Sequence, residues 1–325
     1  MRRGNLLSVM IAIAFGLLPA DARPRVDPAG IAERYPNDAG IGADPRVIFA
    51  DNFDAWETGT AKVPPQTWDA VRNDNIPKQR QTLTVAGAVS INGKELPGKN
   101  VLMLACYHGS PNSAGLRKHL GNYRNRDEGK GPGYEEVYIR YYQKLDDAYT
   151  PERNHGANLG GRDLTRPGSW SVGRANTRDV AANGYFYSGL QPYPNARSGQ
   201  MHWGFYSYHL DKRDQWGDDY RPKAEEKKPI QVGRWYCLER HMKLNSVDPL
   251  QADGVEELWV DGELAIRRDG LRFRRVPEVR ITVFELEVYY HGLPEKFTGE
   301  KPIKVYFDNV VIAKERIGCL SPTRP

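Results

Sequence analysis

Three stretches near the end of the chain decide the fold: GRWYCLERHMKLNS (233–246), GVEELWVDGELAIRRDGLRFRR (254–275) and KVYFDNVVIAKERIG (304–318). Each reads as a long strand rich in aromatic and β-branched residues. Asp261-Gly262 and Asp269-Gly270 supply the turn residues that close them, because glycine and aspartate tolerate the positive φ that tight hairpins demand. No amphipathic helix period and no internal repeat stand out in the 325 residues, so the chain reads as all-β.

Further strands are expected at Arg46–Phe53, Thr82–Ile91, Val101–Tyr107 and Tyr134–Leu145. In the last of these, Val137, Ile139 and Tyr141 point one way, and Tyr138, Arg140, Tyr142 and Lys144 the other. The second set mixes rings with cations. It fits an acidic sugar as well as it fits a solvated strand face. Residues 146–232 read as loop-rich, through YTPERNHGANLGGRD, DVAANGYFYSGLQPYPNARSGQ and DKRDQWGDDYRPKAEEKKP. Long loops on a β scaffold are where binding resides.

The N-terminus reads as an export leader. Arg2 and Arg3 precede the apolar run Leu6–Leu18, and Ala20-Asp21-Ala22 has the small-x-small form of a cleavage site. The run falls short of the roughly 20 apolar residues of a membrane anchor. The expected organisation is a signal peptide at 1–22, an irregular, poorly packed lead-in at 23–45, one sandwich domain at 46–319 and a tail at 320–325. The expected location is secreted or periplasmic, and the expected state a monomer. Net charge is +5, which suits an acidic polymer. No basic block or recognition helix points to nucleic acid. Cys106, Cys237 and Cys319 allow one disulfide, which spacing alone does not choose. No Cys/His spacing indicates zinc.

In order and wording, the three closing stretches resemble those of polysaccharide lyase family 14, and the resemblance extends over about residues 46–318. It implies a concanavalin-like β-jelly roll, a sandwich of two antiparallel sheets. It also implies β-elimination on a uronate glycan of alginate or glucuronan type. Such a reaction removes the proton on C5 beside the carboxylate and expels the oxygen on C4. It needs a group that offsets the carboxylate, a base and an acid, and it requires no cofactor.

Three places would supply these groups. In NHGANLGGRD (154–163), His155 stands where the family carries a functional lysine; a slip of one residue would put Asn154 there instead. Histidine suits a base near neutral pH. In SWSVGRANTRD (169–179), Arg174 matches the arginine of the family's Ser-x-Arg, while Val172 replaces the serine and Ser171 lies on the opposite strand face. In MHWGFYSYHLDKRDQWGDDY (201–220), Tyr206 and Tyr208 match a Tyr-x-Tyr strand, with His202 on the same face. Tyr185-x-Tyr187 is a rival match; choosing 206 and 208 makes 177–200 an insertion.

The implied roles are Arg174, aided by Asn158, on the carboxylate; His155 or Tyr208 as base; and Tyr206 as acid. Arg140 and Tyr142 would line the cleft. Each of these residues also has a plain structural reading, as a loop bond, a surface ion pair or a packed ring. DNFD (51–54) and FDN (307–309) are expected to meet, since first and last strands adjoin in jelly rolls, and they offer oxygens for a structural calcium ion. Glu285-x-Glu287 lacks the longer carboxylate pattern of jelly-roll glycosidases. The competing functions are a non-catalytic carbohydrate-binding protein of the same fold and a glycoside hydrolase.

Overall fold

The computed structural model describes residues 30–56, 67–72, 89–91, 94–96, 98, 100–106, 115–122, 130–147, 149, 154–163, 184–195, 197–212, 216–223, 228–290 and 302–321. The export leader and Arg174 therefore lie outside the described residues.

Two antiparallel sheets pack face to face. The first contains β1 (Val47–Asp51), β5 (Leu102–Cys106), β7 (Glu136–Leu145), β13 (Trp235–Lys243), β14 (Gly254–Val260), β15 (Glu263–Leu271) and β17 (Ile303–Ala313). Its order is β1-β17-β7-β13-β14-β15, with β5 also on β17. The second contains β2 (Ala70–Arg72), β6 (Gly115–His119), β8 (Asn154–Asp163), β9 (Tyr185–Pro194), β10 (Met201–Tyr208), β11 (Asp218–Tyr220), β12 (Pro229–Ile230) and β16 (Val279–Tyr290). Its order is β11-β10-β9-β8-β16-β6-β2, with β12 also on β10. A separate hairpin joins β3 (Val89–Ile91) to β4 (Lys94–Leu96). The result is the expected jelly roll, with the first and last strands paired, Asp51 opposite Val310.

Alternation builds the core. Val137, Ile139, Tyr141 and Leu145 of β7 meet Phe284, Leu286 and Val288 of β16 and Met201, Trp203 and Phe205 of β10. Burying each such side chain stabilises the fold by roughly 1.5–3 kcal/mol. Arg240 on β13 crosses the gap. Fully buried, it donates to Ala157 O of β8 at 2.7 Å and Ser188 Oγ of β9 at 2.8 Å, and pairs with Glu256 at 3.1 Å. This ties the two strands that carry the site to the opposite sheet.

Bulges switch faces where the pattern requires it. Asp261 and Gly262 form the β14–β15 hairpin with φ of 53° and 87°, the double positive φ of that turn. Asp269-Gly270, expected to close a turn, instead lies within β15, where the register slips between the Gly254–Leu271 and Glu256–Arg268 pairs. Gly270, at φ 70°, serves a bulge, since one extra residue bends a strand without ending it. A second slip between Ile281 and Val283 of β16 leaves Ile281 and Phe284 in the core and turns Val283 outward to a tyrosine cluster.

Two expectations are corrected. Part of the 146–232 region that reads as loop is strand: its described residues supply β8 to β12, and with them the middle of the second sheet. Its glycines mislead because they read as turns, whereas here they admit neighbours. A Cβ on Gly161 would fall 1.8 Å from Arg280 O. The lead-in is also ordered from residue 30, where 3₁₀ turns at Ile31–Arg34, Pro36–Asp38 and Ile41–Ala43 pack Ile31, Ala32 and Ile41 against Val311, Ala313 and Ile317. Cys237 and Cys319 form the disulfide and Cys106 is a buried free thiol.

Candidate active site

The outward face of the second sheet carries a row of residues set by register. Asp219, Tyr206, Gly189, Asn158, Glu285, Arg117 and Ala70 stand opposite one another across β11, β10, β9, β8, β16, β6 and β2. The next row is Tyr208, Tyr187, Gly160, Val283 and His119. Directly opposed side chains sit about 5 Å apart, so each row forms a contiguous strip.

Three phenols meet there. Tyr187, Tyr206 and Tyr208 cluster with Val283. The Tyr206 and Tyr208 hydroxyls are 3.3 Å apart, and the Gly217 N–H donates to the Tyr206 oxygen at 3.0 Å. Tyr187 donates to Asn158 Oδ1 at 2.9 Å, and Asn158 Nδ2 donates to Glu287 at 2.6 Å. Glu285 pairs with Arg117 at 2.9 Å. Glycines make room: a Cβ on Gly189 would lie 2.7 Å from Asn158 Oδ1 and 2.8 Å from the Tyr187 hydroxyl.

Burial, and then the hydrogen bond with Tyr206, push the Tyr208 phenol well above its ordinary ionisation range. Removing water disfavours the anion, so Tyr208 holds its proton at neutral pH. That suits a proton donor better than a base. The adjacent His209 points away; its Nδ1 accepts from Asp211 N at 3.2 Å, and burial lowers its pKa. The buried Gln191 lies beyond Gly189 in the same alternating set, and neither of its amide atoms has a partner among the described residues.

Of the residues expected from sequence, Tyr206, Tyr208, Asn158 and His202 share this face. His202 lies four residues from Tyr206, about 13 Å along β10. The His155 backbone is in β8 opposite Tyr289; its side chain, like all of Arg174, is outside the described residues.

Arg140 and Tyr142 do not line this cleft. They lie on β7 in the other sheet and point away from the core. There the buried Arg140 pairs with Asp38 at 2.6 Å and donates to Asn309 O at 2.9 Å. The Tyr142 hydroxyl accepts from Leu320 N at 2.8 Å. The alternation is as expected, but terminal segments cover the face.

Sequence reasoning sets Tyr187 aside as a rival match and discounts Glu285 and Glu287, and it passes over Arg117, Gly189 and Gln191. The period-two run Tyr185-x-Tyr187-x-Gly189-x-Gln191-x-Tyr193 is the available signal, obscured by glycine and proline. Asp54 and Asp308 converge at Gly98, where a Cβ would lie 3.5 Å and 3.9 Å from their carboxylates. Burial first, with the Asp54 charge adding, raises the Asp308 pKa to about 8. Among the described residues no group of three or more His, Cys, Asp or Glu side chains converges on a metal position. A calcium ion here would therefore need backbone or water oxygens to complete its shell of about six to eight.

Residues 224–310 match the family model for polysaccharide lyase 14. No curated protein matches the chain by sequence. Among solved structures, a variant of the alginate lyase Aly36B in complex with an alginate tetrasaccharide is similar at TM-score 0.60 and 13% identity, over 83% of this chain and 98% of that one. The marine PL-14 alginate lyase from Aplysia kurodai is similar at TM-score 0.52 and 12% identity, over 79% of this chain and 98% of that one. These likenesses are of fold. With the matched family segment they support a polysaccharide lyase. No helix among the described residues is long and apolar enough to cross a membrane.

Proposed function

We propose that this polysaccharide lyase 14-like jelly roll is an exported, monomeric lyase that cuts a uronate-containing glycan, alginate or glucuronan in type, by β-elimination. One observation carries the reading: a hydrogen-bonded tyrosine pair, Tyr206 and Tyr208, stands on the outward face of the second sheet, buried beside Tyr187 and Asn158.

In the elimination, a base takes the proton from C5, and the electrons of that bond form the C4=C5 double bond. The C4–O bond breaks, and the departing oxygen takes a proton. Tyr208 supplies that proton, because burial keeps it protonated. Tyr206, fixed by the Gly217 N–H, orients it. His155 is assigned the base and Arg174 the offset of the uronate carboxylate, with Asn158 assisting and His202 contacting sugar further along. These assignments rest on the family resemblance. Export rests on the Arg2-Arg3, Leu6–Leu18 and Ala20-Asp21-Ala22 leader pattern.

The place for a structural calcium is between Asp54 and Asp308. It is tested by thermal unfolding with calcium and with chelator: a calcium-dependent rise in Tm supports it, and no change removes it.

The activity is tested by incubating the purified protein with a panel of polyuronates. A rise in ultraviolet absorbance from the unsaturated product supports the lyase. New reducing ends without absorbance indicate a hydrolase. Retention on a glycan matrix with neither signal indicates a binding protein.

A further inference from the structure

Edge strand β11 carries two exposed groups at its ends that the elimination does not use. Trp216 is 41% exposed, the one aromatic among the large hydrophobic side chains left exposed in the described residues. Its position is fixed by its neighbour, since the Gly217 N–H donates to the Tyr206 hydroxyl at 3.0 Å. A Cβ on Gly217 would touch both tyrosine rings, 2.8 Å from Tyr206 and 3.0 Å from Tyr208. The Trp216 main chain is therefore held beside the tyrosine pair.

Arg221 stands at the other end of the strand. Its side chain is 49% exposed, and its guanidinium lies over the Tyr193 ring at 5.2 Å. Tyr193 belongs to the same outward set of β9 as Tyr187, and its hydroxyl is held by Asp219 at 2.9 Å. Asp219 is itself opposite Tyr206. Its carboxylate is 3.9 Å from Arg221, a long pair that leaves the guanidinium half exposed.

An exposed ring and a half-exposed cation flank β11 on either side, next in sequence to Gly217 on the Tyr206 hydroxyl and over the Tyr193 ring respectively, and form a rim matched to an extended polyanion. We propose that Trp216 and Arg221 form a substrate-holding edge: Trp216 stacks on a sugar ring next to the cleaved linkage, and Arg221 pairs with the carboxylate of a uronate further along. This rests on the lyase reading for the identity of the polymer, and it makes the two residues positioning rather than catalytic.

Two physical signatures separate them. An exposed ion pair is screened by salt, whereas ring stacking is not. The experiment uses the full mature chain with Trp216→Ala and with Arg221→Gln. KM and kcat are measured on the polyuronate that the parent cleaves, and retention in polyuronate-containing native gels at low and high salt. Trp216→Ala is expected to raise KM and weaken retention on the order of tenfold at both salt concentrations. Arg221→Gln is expected to do so about threefold at low salt and not at high salt. In both, kcat should stay within about twofold, since neither residue reaches the reacting atoms.

Unchanged KM and retention in both variants overturn the proposal, as does a loss of kcat without a change in KM. If the parent cleaves no polyuronate yet its retention depends on both residues, the edge stands and the lyase reading fails. Normal cleavage by the parent with both variants indifferent removes the edge and leaves the lyase reading in place.

Discussion

The outward faces of the two sheets use similar residues to opposite ends. On the first sheet, polar groups are consumed by the termini. Arg140 is paired with Asp38, Tyr142 accepts from Leu320 N, and Glu239 accepts from the N–H groups of Ile317 and Gly318 at 2.6 and 2.9 Å. His241 lies between Glu257 at 2.6 Å and Glu136 at 2.8 Å. On the second sheet the phenols and amides bond to one another across strands, through Tyr206–Tyr208 and Tyr187–Asn158–Glu287. Alternation alone makes a face polar. What packs on each face then differs: the chain termini on the first, and the turn at Gly217 against the tyrosine rings on the second.

Substitutions sharpen the contrast. The largest effect is expected on the second sheet: Tyr208→Phe should lower kcat by about a thousandfold, as loss of a general acid does, with Tm nearly unchanged. Arg174→Ala should likewise abolish turnover while the fold persists. Normal cleavage by both variants would remove the assignment.

The first sheet should respond in stability instead. Asp308 has a folded pKa of about 8 against an ordinary 3.8. Between those values the folded chain keeps a proton that the unfolded chain releases. In calcium-free buffer, stability should thus fall as pH rises from about 4 to 8, by up to about 5 kcal/mol. Asp308→Asn should flatten that slope in urea melts taken across the range. Arg140→Ala breaks a buried pair and should cost about 3–5 kcal/mol, while kcat per folded molecule stays the same.

Smaller effects follow. Gly189→Ala pushes a methyl into Asn158 and Tyr187, so it should cost about 1–3 kcal/mol and lower kcat. Lys228→Ala removes an exposed pair with Glu263 and should change stability by less than about 0.5 kcal/mol.

How legible each region is in the sequence follows the same divide. The closing strands are legible because Val305, Phe307, Leu258 and Leu238 alternate with polar residues or stand in β-branched runs. Hydrophobic period reports burial against a core. β8 and β9 are not, because Gly160, Gly161, Gly189 and Pro192 read as turns, although the glycines give neighbouring side chains room. That Tyr206 and Tyr208 share a face is legible because the spacing of two on a strand is itself geometric. Arg140 and Tyr142 are misplaced for a related reason: alternation says that they leave the core, but not which sheet they leave from or that Asp38 and Leu320 would cover them. Asp269-Gly270 shows the same limit at one turn, since a glycine in the left-handed region serves a hairpin or a bulge equally well.

The central claim is that substrate lies on the tyrosine face of the second sheet. It is tested most directly by soaking crystals of the Tyr208→Phe variant with a uronate oligosaccharide and locating the sugar. The expected result is a chain crossing β10, β9 and β8, with a glycosidic oxygen near position 208 and sugar hydroxyls or carboxylate reaching Asn158. Ordered sugar over Arg140 and Tyr142 on the first sheet, with the tyrosine face empty, would contradict it.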